Sequence, residues 1–83
     1  MSSIDYEKFL SELVKPLVLY PDEVVVKIFS EENETIVVQI MVNEEDKGRV
    51  IGKNGRIISA IKTIAYASAS KTGKKIEVTV DSF

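Results

Sequence analysis

Four cations and three glycines fall within twelve residues of this 83-residue chain, Lys47 to Ile58. At the centre is the loop Gly52-Lys53-Asn54-Gly55, lying between two short patterns that both read as helical. Glycine at each end of the loop lets the backbone turn through positive φ and lets a ligand approach closely, because no Cβ stands in the way. A helix begins directly after it, and the first N–H groups of a helix have no intrahelical acceptors and lie at the positive end of its dipole. Lys47, Arg49, Lys53 and Arg56 add full charges. The chemistry this combination supports is the binding of an anion, phosphate above all.

Hydrolysis of a nucleotide is not expected from the same residues. A nucleotide phosphate loop has four residues between its glycines and Ser or Thr after its lysine. Here three residues separate Gly48 from Gly52, and Asn54 follows Lys53. The chain has no histidine and no cysteine, and no paired carboxylates adjoin the basic stretch. General acid–base catalysis is thus left without candidates, and zinc, thiol and disulfide chemistry are excluded too. We expect a binding domain with no catalytic residues, no metal and no cofactor. No apolar run approaches the roughly 18 residues of a membrane span, and the amphipathic N-terminus is unlike a signal peptide, so the expected compartment is the cytoplasm.

The elements that position the loop are legible from periodicity. At this length the chain is one small domain, burying roughly 60% of its unfolded surface. Ser2 and Ser3 are candidate caps for a first helix, with Asp5 and Glu7 in its first turn. Tyr6, Phe9, Leu10, Leu13, Val14 and Leu17 recur at three- and four-residue spacing and give that helix one apolar face. Pro16 disfavours helical geometry at Lys15, so the helix kinks or restarts there before Tyr20-Pro21-Asp22 turns the chain.

Val24 to Phe29 reads as a strand, and Thr35 to Val42 as a second. The polar Glu31-Glu32-Asn33-Glu34 between them predicts an antiparallel hairpin. In the second strand Ile36, Val38, Ile40 and Val42 share one face; Thr35, Val37, Gln39 and Met41 share the other, which is apolar enough either to line a groove or to lie partly beneath a helix. Asn43 caps a short helix with Glu44, Glu45 and Asp46 in its first turn, ending near Ile51.

The longest helical pattern runs from Arg56 to about Ser70. Ile57, Ile61, Ile64, Ala65 and Ser68 lie on one face, widened by Ile58, Ala60, Tyr66, Ala67 and Ala69. A face wider than one sheet covers packs either on the first helix or on a second subunit. Thr72-Gly73 closes the helix with a left-handed cap. Ile76, Val78 and Val80 then alternate in a last strand with Lys74 and Lys75 at its mouth. The element order is α-β-β-α-α-β.

A net charge of −2 conceals strong segregation. Residues 1–46 hold eleven acids against three lysines, whereas residues 47–75 hold eight cations and no acid. A polyanion responds to the local field, not the total. Either folding interleaves the two blocks into weakly paired surfaces, or the basic block faces a polyanion.

Val50-Ile51-Gly52-Lys53-Asn54-Gly55-Arg56-Ile57-Ile58 resembles the VIGxxGxxI signature of the KH domain. The element order matches the type II arrangement, and with Lys15-Pro16-Leu17 and Ser59-Ala60-Ile61-Lys62-Thr63 the whole chain is similar to the KhpA family of small bacterial RNA-binding proteins. The resemblance implies a single α+β KH domain over residues 1–83, with helices on one face of a three-stranded sheet. It implies that the GxxG loop clamps about four nucleotides of single-stranded RNA, or of DNA. Gly52 and Gly55 would admit the phosphates, Lys53 would neutralise one, Asn54 would donate to one, and Lys47, Arg49 and Arg56 would extend the field. Bases would lie against Val50, Ile51, Ile58 and either Ile40 or Met41. The family also implies a homodimer, with Ala60, Ile64, Ala67 and Ser68 as interface candidates, or pairing with a larger Jag/KhpB-type RNA-binding protein in cell-envelope and cell-shape regulation. In a competing reading the fold is a protein–protein scaffold and RNA is incidental.

Overall fold

The computed structural model describes residues 5–83. Helix α1 spans Tyr6–Val14 and starts at Asp5, whose carboxylate accepts the Lys8 N–H at 3.1 Å. Asp5 is therefore the cap and not a first-turn residue; Ser2 and Ser3 lie outside the described residues. As Pro16 dictates, α1 stops at Val14 and a 3-10 turn covers Lys15–Leu17. Strands β1 (Val25–Ser30) and β2 (Thr35–Val42) form the expected antiparallel hairpin, with a bulge between Ile28 and Ser30. Helices α2 (Lys47–Ile51) and α3 (Arg56–Ser70) flank the loop, and Gly73, at φ +74°, ends the α3 turn before β3 (Lys75–Ser82).

The sheet order is β1-β2-β3. β3 lies parallel to β2 in an unbroken register from Thr35 opposite Lys75 to Val42 opposite Ser82. All three helices pack on one face. There Ile36, Val38, Ile40 and Val42 are sealed against Leu10 and Val14 of α1, Val50 of α2, and Ile61, Ala65 and Ala69 of α3. Apolar burial of this kind supplies most of the stability of a small domain, at about 25 cal/mol per Å². Thr35, Val37, Gln39 and Met41 alternate onto the opposite face, where they remain half-buried.

One buried group is not apolar. Asp46 is fully buried, and its two carboxylate oxygens accept the N–H groups of Leu19 (2.9 Å) and Tyr20 (3.0 Å). The acid expected to complement a helix dipole instead ties the connection after α1 to the start of α2, across 27 residues of sequence. Asn43 does cap the preceding 3-10 turn, accepting the Glu45 N–H at 2.9 Å. Substitution Asp46→Asn leaves one of the two donors facing an NH2 group, and an unsatisfied buried N–H costs about 2 kcal/mol. Urea denaturation of the variant should show a loss of that size; a change under about 0.5 kcal/mol, the level of an ordinary surface substitution, would contradict the clamp.

Candidate nucleic-acid interface

The loop is built by two residues that cannot be exchanged for each other. Gly52 has φ +78° and ψ +170°, a region essentially closed to side-chain-bearing residues. A Cβ placed there would lie 2.6 Å from Ile57 Cγ1 and 2.9 Å from the Ile57 main-chain nitrogen. Gly52 thus allows the entry of α3 to pass directly against the end of α2. Gly55 is left-handed at φ +72°, ψ +18°, but an added Cβ would have only Ile58 Cγ2 nearby, at 3.9 Å. Asn54 is also left-handed, at φ +57°, a conformation asparagine tolerates better than most residues.

The turn uses few of its own donors. The Gly52 N–H donates to Gly48 O at 2.8 Å, the Gly55 N–H to Gly52 O at 3.1 Å, and the Arg56 N–H to Lys53 O. The N–H groups of Lys53 and Asn54 make no hydrogen bond among the described residues. Two free amides and the exposed Lys53 and Asn54 side chains therefore share the apex of the loop, beside the N-terminus of α3. An anionic oxygen seated there meets donors, a cation and the positive end of a four-turn helix.

The structure separates the four cations. Lys53 and Arg56 are exposed and take part in no ion pair among the described residues. Arg49 folds back on the 3-10 turn that precedes α2, donating to Glu45 O at 2.8 Å and lying 3.7 Å from Asp46. Lys47 pairs with Asp81 at 3.2 Å. The Ser82 N–H, and then Lys47, hold the Asp81 carboxyl below the usual carboxylate range. Because that value is depressed, Asp81 keeps its charge as pH falls through the ordinary range and gives up the pair only in stronger acid. So exposed a pair is screened by solvent and leaves Lys47 available to a competing anion. Arg49 with Asp46 is the one ion pair between the two blocks among the described residues, and Lys53, Arg56, Lys62, Lys71, Lys74 and Lys75 have no acid partner there.

The aliphatic contacts expected from the sequence need correction. Val50 is 0% exposed and belongs to the core, where it anchors α2 to the sheet. Ile40 is sealed beneath the helices, and Met41 lies on the sheet face that the helices leave open. The strand beside α2 and α3 is β3, not β2. Ile51 and Ile58 are the half-buried aliphatics that remain on either side of the loop. On α3, Ala60 and Ala67 are exposed, Ile64 is 44% exposed and Ser68 is half-buried. α3 does touch α1, as one of the two alternatives had it, but Ala60, Ile64 and Ala67 stay exposed. Asp46, which holds α2 in place, was missed because nothing in the run Glu44-Glu45-Asp46 distinguishes its third member.

Comparison with known proteins agrees with the geometry. Residues 7–80 match the family model described as KhpA/KhpB, KH domain. The RNA-binding protein KhpA of Listeria monocytogenes is 47% identical over 75 residues, covering 89% of this chain and 96% of the relative. The protein of the same name from Lactiplantibacillus plantarum is 39% identical, covering 93% and 89%; that from Streptococcus pneumoniae is 37% identical, covering 90% and 92%. Among solved structures, Era in complex with MgGDPNP and nucleotides 1506–1542 of 16S ribosomal RNA superposes with a TM-score of 0.70 at 22% identity. It matches 93% of this chain, which spans only 30% of the Era chain, so the likeness is one of fold.

Proposed function

This chain belongs to the KhpA/KhpB KH-domain family, and from that premise we propose that it binds single-stranded RNA, holding about four nucleotides by their backbone. The observation that carries the reading is the loop apex, where two unbonded amides, Lys53 and the N-terminus of α3 converge without a competing acid. Gly52 and Gly55 shape the turn, Lys53 and Arg56 neutralise phosphate, Asn54 donates to it, and Ile51 and Ile58 bear on the bases. Lys47 and Arg49 contribute at longer range, since both are engaged within the chain.

Such a site is weak and generic. Neutralising about three phosphates on a single strand gives a log K against log salt slope of about −2. We expect fluorescence anisotropy with a short unstructured oligonucleotide to return that slope, despite the net negative charge of the protein. Affinity independent of salt would overturn the electrostatic reading. In a nuclear magnetic resonance titration the same oligonucleotide should move amides of residues 49–58; movement everywhere except there would assign binding to another surface.

Weak sites act in multiples, because linking two of them raises avidity through effective concentration. On this reading the exposed flank of Ala60, Ile64, Ala67 and Ser68 joins two copies, or this chain and a Jag/KhpB-type partner. The assembly would serve in the cytoplasm as an RNA chaperone or post-transcriptional regulator affecting the cell envelope and cell shape. A second reading, a scaffold for which RNA is incidental, is favoured by the same exposed Ile64 and is separated from the first by the loop substitution discussed below.

A further inference from the structure

The connection from α1 to β1 leaves apolar side chains in water on a backbone that is firmly held. Leu17, Leu19 and Tyr20 are exposed, Leu19 by 58% and Tyr20 by 40%, whereas Val18 between them packs on the core. Pro16 and Pro21 restrict φ at either end of the segment. Asp46 holds the N–H groups of Leu19 and Tyr20, and Asn43 Nδ2 donates to Glu23 Oε1 at 3.1 Å. These bonds fasten the Pro21–Glu23 turn beside the Glu44–Asp46 turn. Asp22, Glu23, Glu44 and Glu45 therefore stand next to the apolar side chains, with Glu45 Oε2 3.5 Å from the Tyr20 hydroxyl. All four acids are exposed, and none has a cation partner among the described residues. Of the cations near by in sequence, Lys47 pairs with Asp81 and Arg49 lies against Asp46, which leaves Lys15.

We infer that this surface docks a basic amphipathic helix of another protein, its apolar residues on Leu17, Leu19 and Tyr20 and its lysines or arginines against the acidic rim. The sign of the rim selects the occupant. Four carboxylates repel a nucleic acid or an anionic membrane and attract a cationic segment. Strand addition is closed off at Leu19 and Tyr20, because their N–H groups are already bonded to Asp46. A helix satisfies its own main chain and offers apolar anchors three and four residues apart. A second copy is a poor fit: its unpaired cations lie on the loop, on α3 and just beyond it, and a head-to-tail contact between α3 and this surface would repeat without closing. Preorganisation favours docking, since the backbone that carries the three side chains is fixed before a partner arrives and little entropy is lost there on binding. Tyrosine is also among the residues that carry most binding energy at the centre of an interface. The surface adjoins the N-terminal end of α2 and the loop follows its C-terminal end, so the partner and a ligand of the loop occupy different places.

The test uses the full chain and a synthetic peptide of about 15 residues, long enough to form a helix, with leucine on one face and lysine on the other. In a nuclear magnetic resonance titration this peptide should move the amides of residues 17–23 and 43–46. Leu19→Ser with Tyr20→Ser should weaken it about tenfold and leave oligouridine affinity unchanged. Both substitutions keep the main-chain N–H groups that Asp46 holds, so the thermal midpoint should stay within a few degrees. Glu44→Gln with Glu45→Gln should weaken the peptide several-fold at low salt and much less at high salt. The same peptide with glutamate in place of lysine should bind about tenfold more weakly than the lysine form. Equal affinity of the lysine peptide for the Leu19→Ser, Tyr20→Ser variant and the unsubstituted chain, or shifts confined to other residues, would overturn the surface. Oligouridine shifts centred on residues 17–23 would also overturn it, assigning the surface to nucleic acid. So would self-association in sedimentation that Leu19→Ser with Tyr20→Ser abolishes, which would assign it to a second copy.

Discussion

Replacing Lys53 and Asn54 together with aspartate lowers affinity for a short RNA single strand by on the order of 100-fold at low salt, about 2.7 kcal/mol. The double substitution removes one cation and places two carboxylates beside the unbonded Lys53 and Asn54 amides, where a phosphate oxygen is proposed to sit. A lost charge-assisted hydrogen bond is worth about 1.5–3 kcal/mol, and like-charge repulsion adds to it. The fold should not register the change. Both side chains are exposed, and aspartate tolerates the left-handed conformation at position 54. The thermal midpoint should therefore stay within a few degrees while anisotropy titrations lose their signal, and added salt should narrow the gap by screening the repulsion. Undiminished RNA affinity in a folded variant would take the loop out of the mechanism and favour the scaffold reading.

Gly52→Ala should destabilise the domain by about 4 kcal/mol, and Gly55→Ala by only about 1 kcal/mol. Both residues have positive φ, so a purely conformational penalty would make the two variants alike. They differ in what surrounds them. Ile57 Cγ1 can turn away from an alanine at position 52 by changing rotamer, but the Ile57 main-chain nitrogen, 2.9 Å from the new Cβ, moves only if α3 moves. At position 55 the nearest atom is 3.9 Å away and nothing has to shift. In a domain whose total stability is about 5–10 kcal/mol, the first loss lowers the thermal midpoint by roughly 20 °C. Equal midpoints for the two variants would show that close packing of the two helix ends does not set the turn.

Much of this molecule is written in local pattern. The alternation of Ile36, Val38, Ile40 and Val42, the polar run that reverses the chain before Thr35, the stop at Pro16 and the left-handed cap at Gly73 each depend on a few neighbouring residues, and each appears where the sequence places it. The same holds for the loop, since glycine spacing before a helical pattern dictates a turn whatever surrounds it. Lys47 and Arg49 show where such reasoning stops. Their charges are evident in the sequence, and Asp46 stands only three residues from Arg49, but Asp81 reaches Lys47 only through packing.

By itself the sequence determined the order and type of the elements, the loop and its donors, and the family, because periodicity, turn chemistry and backbone conformation are short-range properties. Tertiary structure alone decided that β3 joins β2 in parallel, that Val50 and Ile40 belong to the core while Ile64 stays in solvent, and that Asp46 is a buried clamp. Those outcomes turn on which residues distant in the chain exclude water from one another, and an apolar or acidic side chain has the same local signature whether it is buried or exposed.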